Sequence, residues 1–272
     1  MGKASLAMAL ADFIPTLCYL GGAWFIVRMM RKMGERELAG MFMFGAFLAG
    51  LSGFLKALSK VLDAIAARPV TESGFLYDHM FPMMAAAFLA TATAIILGAR
   101  RYSGRDPRGE RTKTAETLAW ISPFAVGLFL GLAFGLVLAK NAGAGFLAGH
   151  FAAVKLGSMV AMIVLQLATV GILAWFSFRE GVPAAGVLAV VSVAGMLAMG
   201  MLASPSLQAR FEDRILMNWL DQFVNLATQG SFLAAAFLVW RKAREGLIAG
   251  VARPHAGLPA AAGSGAEKGA ST

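Results

Sequence analysis

Charge and cysteine are scarce in this sequence. Charged residues make up only 14% of its 272 residues, against about 25% in an ordinary soluble domain. The one cysteine, Cys18, permits no internal disulfide and no cysteine-based metal cluster. Three histidines, His79, His150 and His255, are too few for most membrane metal centres. No cofactor and no bound metal are therefore expected. Met80, Met83 and Met84 near His79 read as packing material rather than a copper site. No stretch between the apolar runs is long enough for a soluble domain.

What is abundant is apolar. Hydrophobic residues reach 58% and the mean hydropathy is +0.70. This excludes a soluble enzyme, a secreted disulfide scaffold, a coiled coil and a disordered regulator. Seven runs approach the roughly 20 apolar residues a spanning helix needs: 6–28, 39–62, 80–100, 117–139, 152–177, 183–203 and 215–240. The expectation is an all-α, polytopic seven-transmembrane-helix bundle over residues 1–250. Residues 251–272, rich in Ala and Gly with Pro254 and Pro259, read as a disordered cytoplasmic tail. The first run reads as a retained helix, because its only basic flank is Lys3 and Asp12 interrupts it.

The formal charge of +9 comes from 24 basic and 15 acidic residues. Sixteen of the 24 follow the odd-numbered runs, six of them between Arg100 and Lys113. Lys3, Arg68, Lys140, Arg210 and Arg214 fall on the other side. The positive-inside rule then places the amino terminus outside and the carboxyl terminus in the cytoplasm. The basic residues are read as topological signals, with no nucleic-acid partner and with anionic headgroups as a secondary reading. The expected location is a bacterial inner (plasma) membrane.

Ionisable groups inside a span cost about 2.5–3.5 kcal/mol each at the bilayer centre. Asp12, Lys56, Lys60, Lys155 and Asp221 lie within the runs. On the seventh run Asn218, Asp221, Gln222, Asn225 and Gln229 recur at spacings of three and four, which places them on one face. That face either bonds to other helices or lines a wet cavity. On the second run Ser52, Lys56, Ser59, Lys60 and Asp63 form a stripe of the opposite sign. On the first, Asp12, Thr16 and Tyr19 share a face, and Pro15 frees a carbonyl one turn earlier. The fifth carries Lys155, Ser158, Gln166 and Thr169. With the expected orientation, nearly all these charges fall in the outer portion, and the inner halves are almost purely apolar. A short echo links Asp12-Phe-Ile-Pro15 to Asp78-His-Met-Phe-Pro82, too brief to define a repeat.

The arrangement has the topology of rhodopsins and G-protein-coupled receptors, but the seventh run lacks a lysine for a retinal Schiff base. Gly50-Leu-Ser52-Gly53 is similar to the Gly-x-Ser-Gly element of rhomboid proteases, without the remaining elements. Lys155 and Ser158 would be a dyad on one helix, again without supporting motifs. No catalytic set is complete. The leading expectation is an outward-facing polar pocket that binds a small anionic or zwitterionic ligand, in a sensor or a related role. Its candidate residues are Asp12, Tyr19, Lys56, Lys60, His79, His150, Lys155, Asp221, Gln222, Asn225 and Gln229. The alternatives are a proton-coupled small-molecule or ion transporter, and a structural subunit of a membrane complex. The expected partners are the lipid bilayer, the small ligand from the external side, and a membrane or cytoplasmic protein that reads the basic loops.

Overall fold

The computed structural model describes residues 5–66, 75–103, 126–127, 130–131, 134–135, 137–143, 145–202 and 214–248. The terminal tail, most of the basic 100–113 stretch and much of the expected fourth run lie outside the described residues.

The described chain is helical, with no strand among its residues. The elements are α1 (Leu6–Ala11), α2 (Phe13–Lys32), α3 (Arg36–Ile65), α4 (Phe75–Asp78), α5 (Met80–Ser103), α6 (Gly145–Arg179), α7 (Pro183–Leu202) and α8 (Arg214–Arg244). The described residues between 126 and 141 are also helical. Six helical segments are long and apolar enough to cross a membrane: Leu6–Lys32, Arg36–Ile65, Leu76–Ser103, Gly149–Arg179, Pro183–Leu202 and Leu216–Arg244. Their outward faces suit lipid, since Leu17, Phe47, Val164, Val187 and Phe223 are more than half exposed, a surface that water would not tolerate as a continuous band.

Side-chain contacts fix the direction of each helix. Phe13 meets Phe54, and a Cβ on Gly50 would strike Leu20, so α2 and α3 are antiparallel. Ser52 donates to the Met80 carbonyl at 3.0 Å, and a Cβ on Gly45 would lie 2.5 Å from the Ala87 carbonyl oxygen. Helices α3 and α5 are therefore antiparallel and very close, as small residues permit in a bundle held by packing rather than by water. Tyr102 packs on Phe176 while Lys155 reaches Tyr77, so α5 and α6 are parallel. The chain must regain its starting end between Ser103 and Gly145. The described residues of 126–141 run that way: Val126 packs with Ala86 and Ala90, and Lys140 pairs with Asp78. Finally, α2 and α8 are parallel in a nearly constant register, Asp12 to Gln222, Tyr19 to Phe232 and Lys32 to Arg244.

Two spans break near a proline. Pro15 and Pro82 lack the N–H that would bond the carbonyls of Ala11 and Asp78. The interruptions fall at Asp12, between α1 and α2, and at His79, between α4 and α5. A shared core of Ile26, Val27, Phe42, Leu97, Leu173 and Phe232 then fills the middle of the bundle.

At the far end the connections are tight. Gly34 and Gly181 take φ of 87° and 66°, a left-handed geometry that glycine reaches without a Cβ penalty. The N–H groups of Glu35 and Val182 bond back to Met30 and Ser177, which ends α2 and α6 in Schellman fashion.

Candidate functional site

Helix register places Asp12, Lys60, Asp78, Lys140, Lys155 and Gln222 at one end of the bundle. They form two groups on different helices.

The first group joins the three helices α2, α3 and α8 at the α1–α2 break. Lys60 Nζ lies 2.5 Å from Asp12 Oδ2, and the Asp12 side chain is only 3% exposed. Gln222 Nε2 donates to the other Asp12 oxygen. The break explains the placement: Asp12 stands where the helix is interrupted, so its carboxylate turns into the bundle. Lys56 lies one turn earlier on α3, within electrostatic reach of Asp12 and Lys60. It makes no ion pair among the described residues. Asp221 also acts on Lys60 electrostatically. Two carboxylates and two ammonium groups thus balance one another in a place poor in water. The Gln222 Oε1 atom is buried and accepts no hydrogen bond among the described residues. Gln229 Oε1, seven residues along the same face, is in the same state. Asn225 lies between them, half-buried.

The second group surrounds the α4–α5 break. Lys140 Nζ sits 2.5 Å from Asp78 Oδ2 and 4.6 Å from the centre of the Phe151 ring. His79 is buried, with its ring 4.6 Å from Phe134. Lys155 Nζ lies over Tyr77 and Phe81 at 5.4 and 5.7 Å. Ser158, one turn deeper than Lys155, is buried.

The structure therefore divides the residues that the sequence suggested for a single pocket. Asp12, Lys56, Lys60, Asp221 and Gln222 come together, with Asn225 and Gln229 extending the same face inward. His79 and Lys155 belong to the second group. His150 is exposed on α6. Tyr19 stands two turns deeper on α2, in the aromatic core, 5.7 Å from Phe88 and 5.6 Å from Phe232. The first group is also closed rather than open, because Lys60 and Gln222 occupy both oxygens of Asp12.

Sequence reasoning missed Lys140, which it counted only as a loop charge. It also missed a polar network at the opposite end. There Tyr102 donates to the Glu180 carboxylate, and Lys242 donates to the Glu180 and Gly181 carbonyls. Arg101 pairs with Glu35 at 2.6 Å. The far end is thus less uniformly apolar than the sequence suggests. The cause is local: Glu180 and Lys242 sit at helix ends, where free carbonyls attract a cation. No group of three or more metal-ligating side chains occurs among the described residues.

No protein-family model, curated protein or solved structure matches the chain.

Proposed function

We propose that this is a seven-span membrane protein that binds a small zwitterionic or anionic ligand at the Asp12 group, entered from the outside. The observation that carries this reading is the self-neutralised cluster of Asp12, Lys60, Lys56 and Asp221 between three helices, with buried acceptors left over. A ligand carboxylate would take the place of Asp12 on Lys60 and gain Lys56. A ligand ammonium would take Asp12, Asp221 and the idle amide oxygens of Gln222 and Gln229. Exchanging one internal pair for two new ones spares the cost of stripping a lone charge in a dry place. The reading suits a sensor or receptor-like component.

The parallel course of α5 and α6 supports a return pass between them, and hence the seventh span. The basic residues near the Glu180 end, among them Arg28, Arg31, Arg100 and Arg241, support placing that end in the cytoplasm of a bacterial inner membrane.

A screen of free amino acids and small carboxylic acids tests the reading by thermal unfolding of the purified protein. At a hundredfold excess over Kd, a true ligand adds about 2.7 kcal/mol. The expectation is stabilisation of the wild type and none of Lys56→Met, a substitution that breaks no ion pair among the described residues. Equal stabilisation of both proteins, or of neither by any compound, would leave the cluster as a device for helix pairing.

A proton-coupled transporter is the second reading. Gln229 favours it, because seven residues of helix carry the polar face about 10 Å inward. Asp221-dependent flux into proteoliposomes would select it.

A further inference from the structure

The Glu180 end carries a groove that the proposed ligand site does not use. It lies between α5 and α6 and opens sideways, towards where lipid lies. It is shallow and wide open, and its walls are Ile96, Ala99, Arg100, Ser103, Ile172 and Trp175. Ala99 and Ile172 also line a separate apolar recess of about 40 Å³ against Met29, Met30 and Leu173. A small side chain on α5, Ala99, leaves the space.

The mouth of the groove is cationic. Arg100 is exposed and pairs with no carboxylate among the described residues. Arg179 adjoins two of the walls: it stacks on Trp175 and Tyr102 at 5.2 and 5.1 Å and donates to Ser103 Oγ at 3.0 Å. That contact uses one of five guanidinium donors and holds the side chain in place. The order along the groove is apolar wall, then indole, then two guanidinium groups with a hydroxyl. A bilayer has the same order from acyl chain through interface to headgroup.

We propose that this groove is a specific site for an anionic phospholipid of the leaflet at the Glu180 end. One acyl chain lies on Ile96, Ala99 and Ile172. The phosphate sits between Arg100 and Arg179, where planar guanidinium groups can bind two oxygens each. Neutral lipids share the chain contacts but carry no net charge for the two arginines to attract.

Native mass spectrometry of the full-length protein from phosphatidylcholine nanodiscs doped with phosphatidylglycerol tests the site. Wild type should retain phosphatidylglycerol in preference to phosphatidylcholine. Arg100→Gln and Arg179→Gln should each lower retention about fivefold, the loss typical of one basic group at an anionic surface. Ile96→Trp should lower it too, by filling the chain path while keeping both arginines. If Arg179→Gln fails to fold, Arg100→Gln at an exposed position and Ile96→Trp still decide the matter. Arg241→Gln, exposed at the same end but outside the groove, should change nothing. Equal retention of the two lipids, or an equal loss in Arg241→Gln, would overturn the proposal. So would displacement by inorganic phosphate alone, which would mark a free-phosphate site.

Discussion

The Asp12–Lys60 and Asp78–Lys140 pairs are made by one device and set in different surroundings. In each, a proline early in a span interrupts the helix, and an aspartate at or beside the break meets a lysine from an antiparallel neighbour. Both pairs close to 2.5 Å. The first is packed among further polar groups, Lys56, Asp221 and Gln222. The second is packed among rings, with Phe151 under Lys140 and Phe134 against His79. The lysines differ in exposure, Lys60 at 14% and Lys140 at 33%, while both aspartates are buried, at 3% and 1%. The second pair also keeps a buried acceptor, Asp78 Oδ1, that takes no hydrogen bond among the described residues, and Lys155 lies in its group. The side chains packed on it, however, are rings, which offer a charged ligand no polar atom to exchange. A pair beside a second cation and idle amide oxygens can trade partners, which is what binding a charged ligand requires.

Substitutions sharpen this contrast. The largest effect should come from Lys60→Met, which strands the buried Asp12 carboxylate. Removing one partner of a buried pair costs about 3–5 kcal/mol, read by denaturant titration in detergent. Adding Asp12→Asn should recover most of that loss. Lys140→Met strands a carboxylate that is just as buried, since the Asp78 side chain is 1% exposed, and should cost about the same. A much smaller loss in Lys140→Met would mean that water takes the place of the lysine at Asp78. Gln222→Leu should cost about 1–3 kcal/mol as the loss of a charge-assisted bond, and it should also remove ligand stabilisation. At the opposite end, Tyr102→Phe takes a donor from the buried Glu180 and should cost about 1–2 kcal/mol with no effect on ligand binding. Arg101→Gln should be smallest, about 0.2–1 kcal/mol, because its pair with Glu35 is partly exposed. It would fade in high salt.

Much of the architecture was legible in the sequence because lipid imposes a simple rule. Runs of apolar residues near the length of the bilayer become helices, and six of the seven expected runs correspond to helices able to span. The fourth, 117–139, is described only in part. The stripe on the seventh run was legible for the same kind of reason. A three-and-four spacing fixes a face, and Gln222 does turn inward from it. The partner of that face was not legible. Which helix lies beside which depends on close-packing positions such as Gly45 against Ala87 and Gly195 against Thr228, and these carry no chemical label. The parallel register of α2 and α8, which brings Asp12 to Gln222 across 210 residues, could not be read from either segment alone. Nor could Lys140, whose role appears only when the chain folds back on α5. The echo between Asp12…Pro15 and Asp78…Pro82 was visible, and its meaning is structural. Each proline sets a break, and each aspartate is placed by one.

The most direct test of the central claim is native mass spectrometry on protein released gently from its own membrane, with retained small molecules identified after extraction. The account predicts one acidic or zwitterionic molecule per chain in the wild type, absent from both Lys56→Met and Gln222→Leu while Lys56→Met unfolds at the wild-type temperature. A wild type that carries no such molecule, or a molecule retained equally by Lys56→Met, would contradict it.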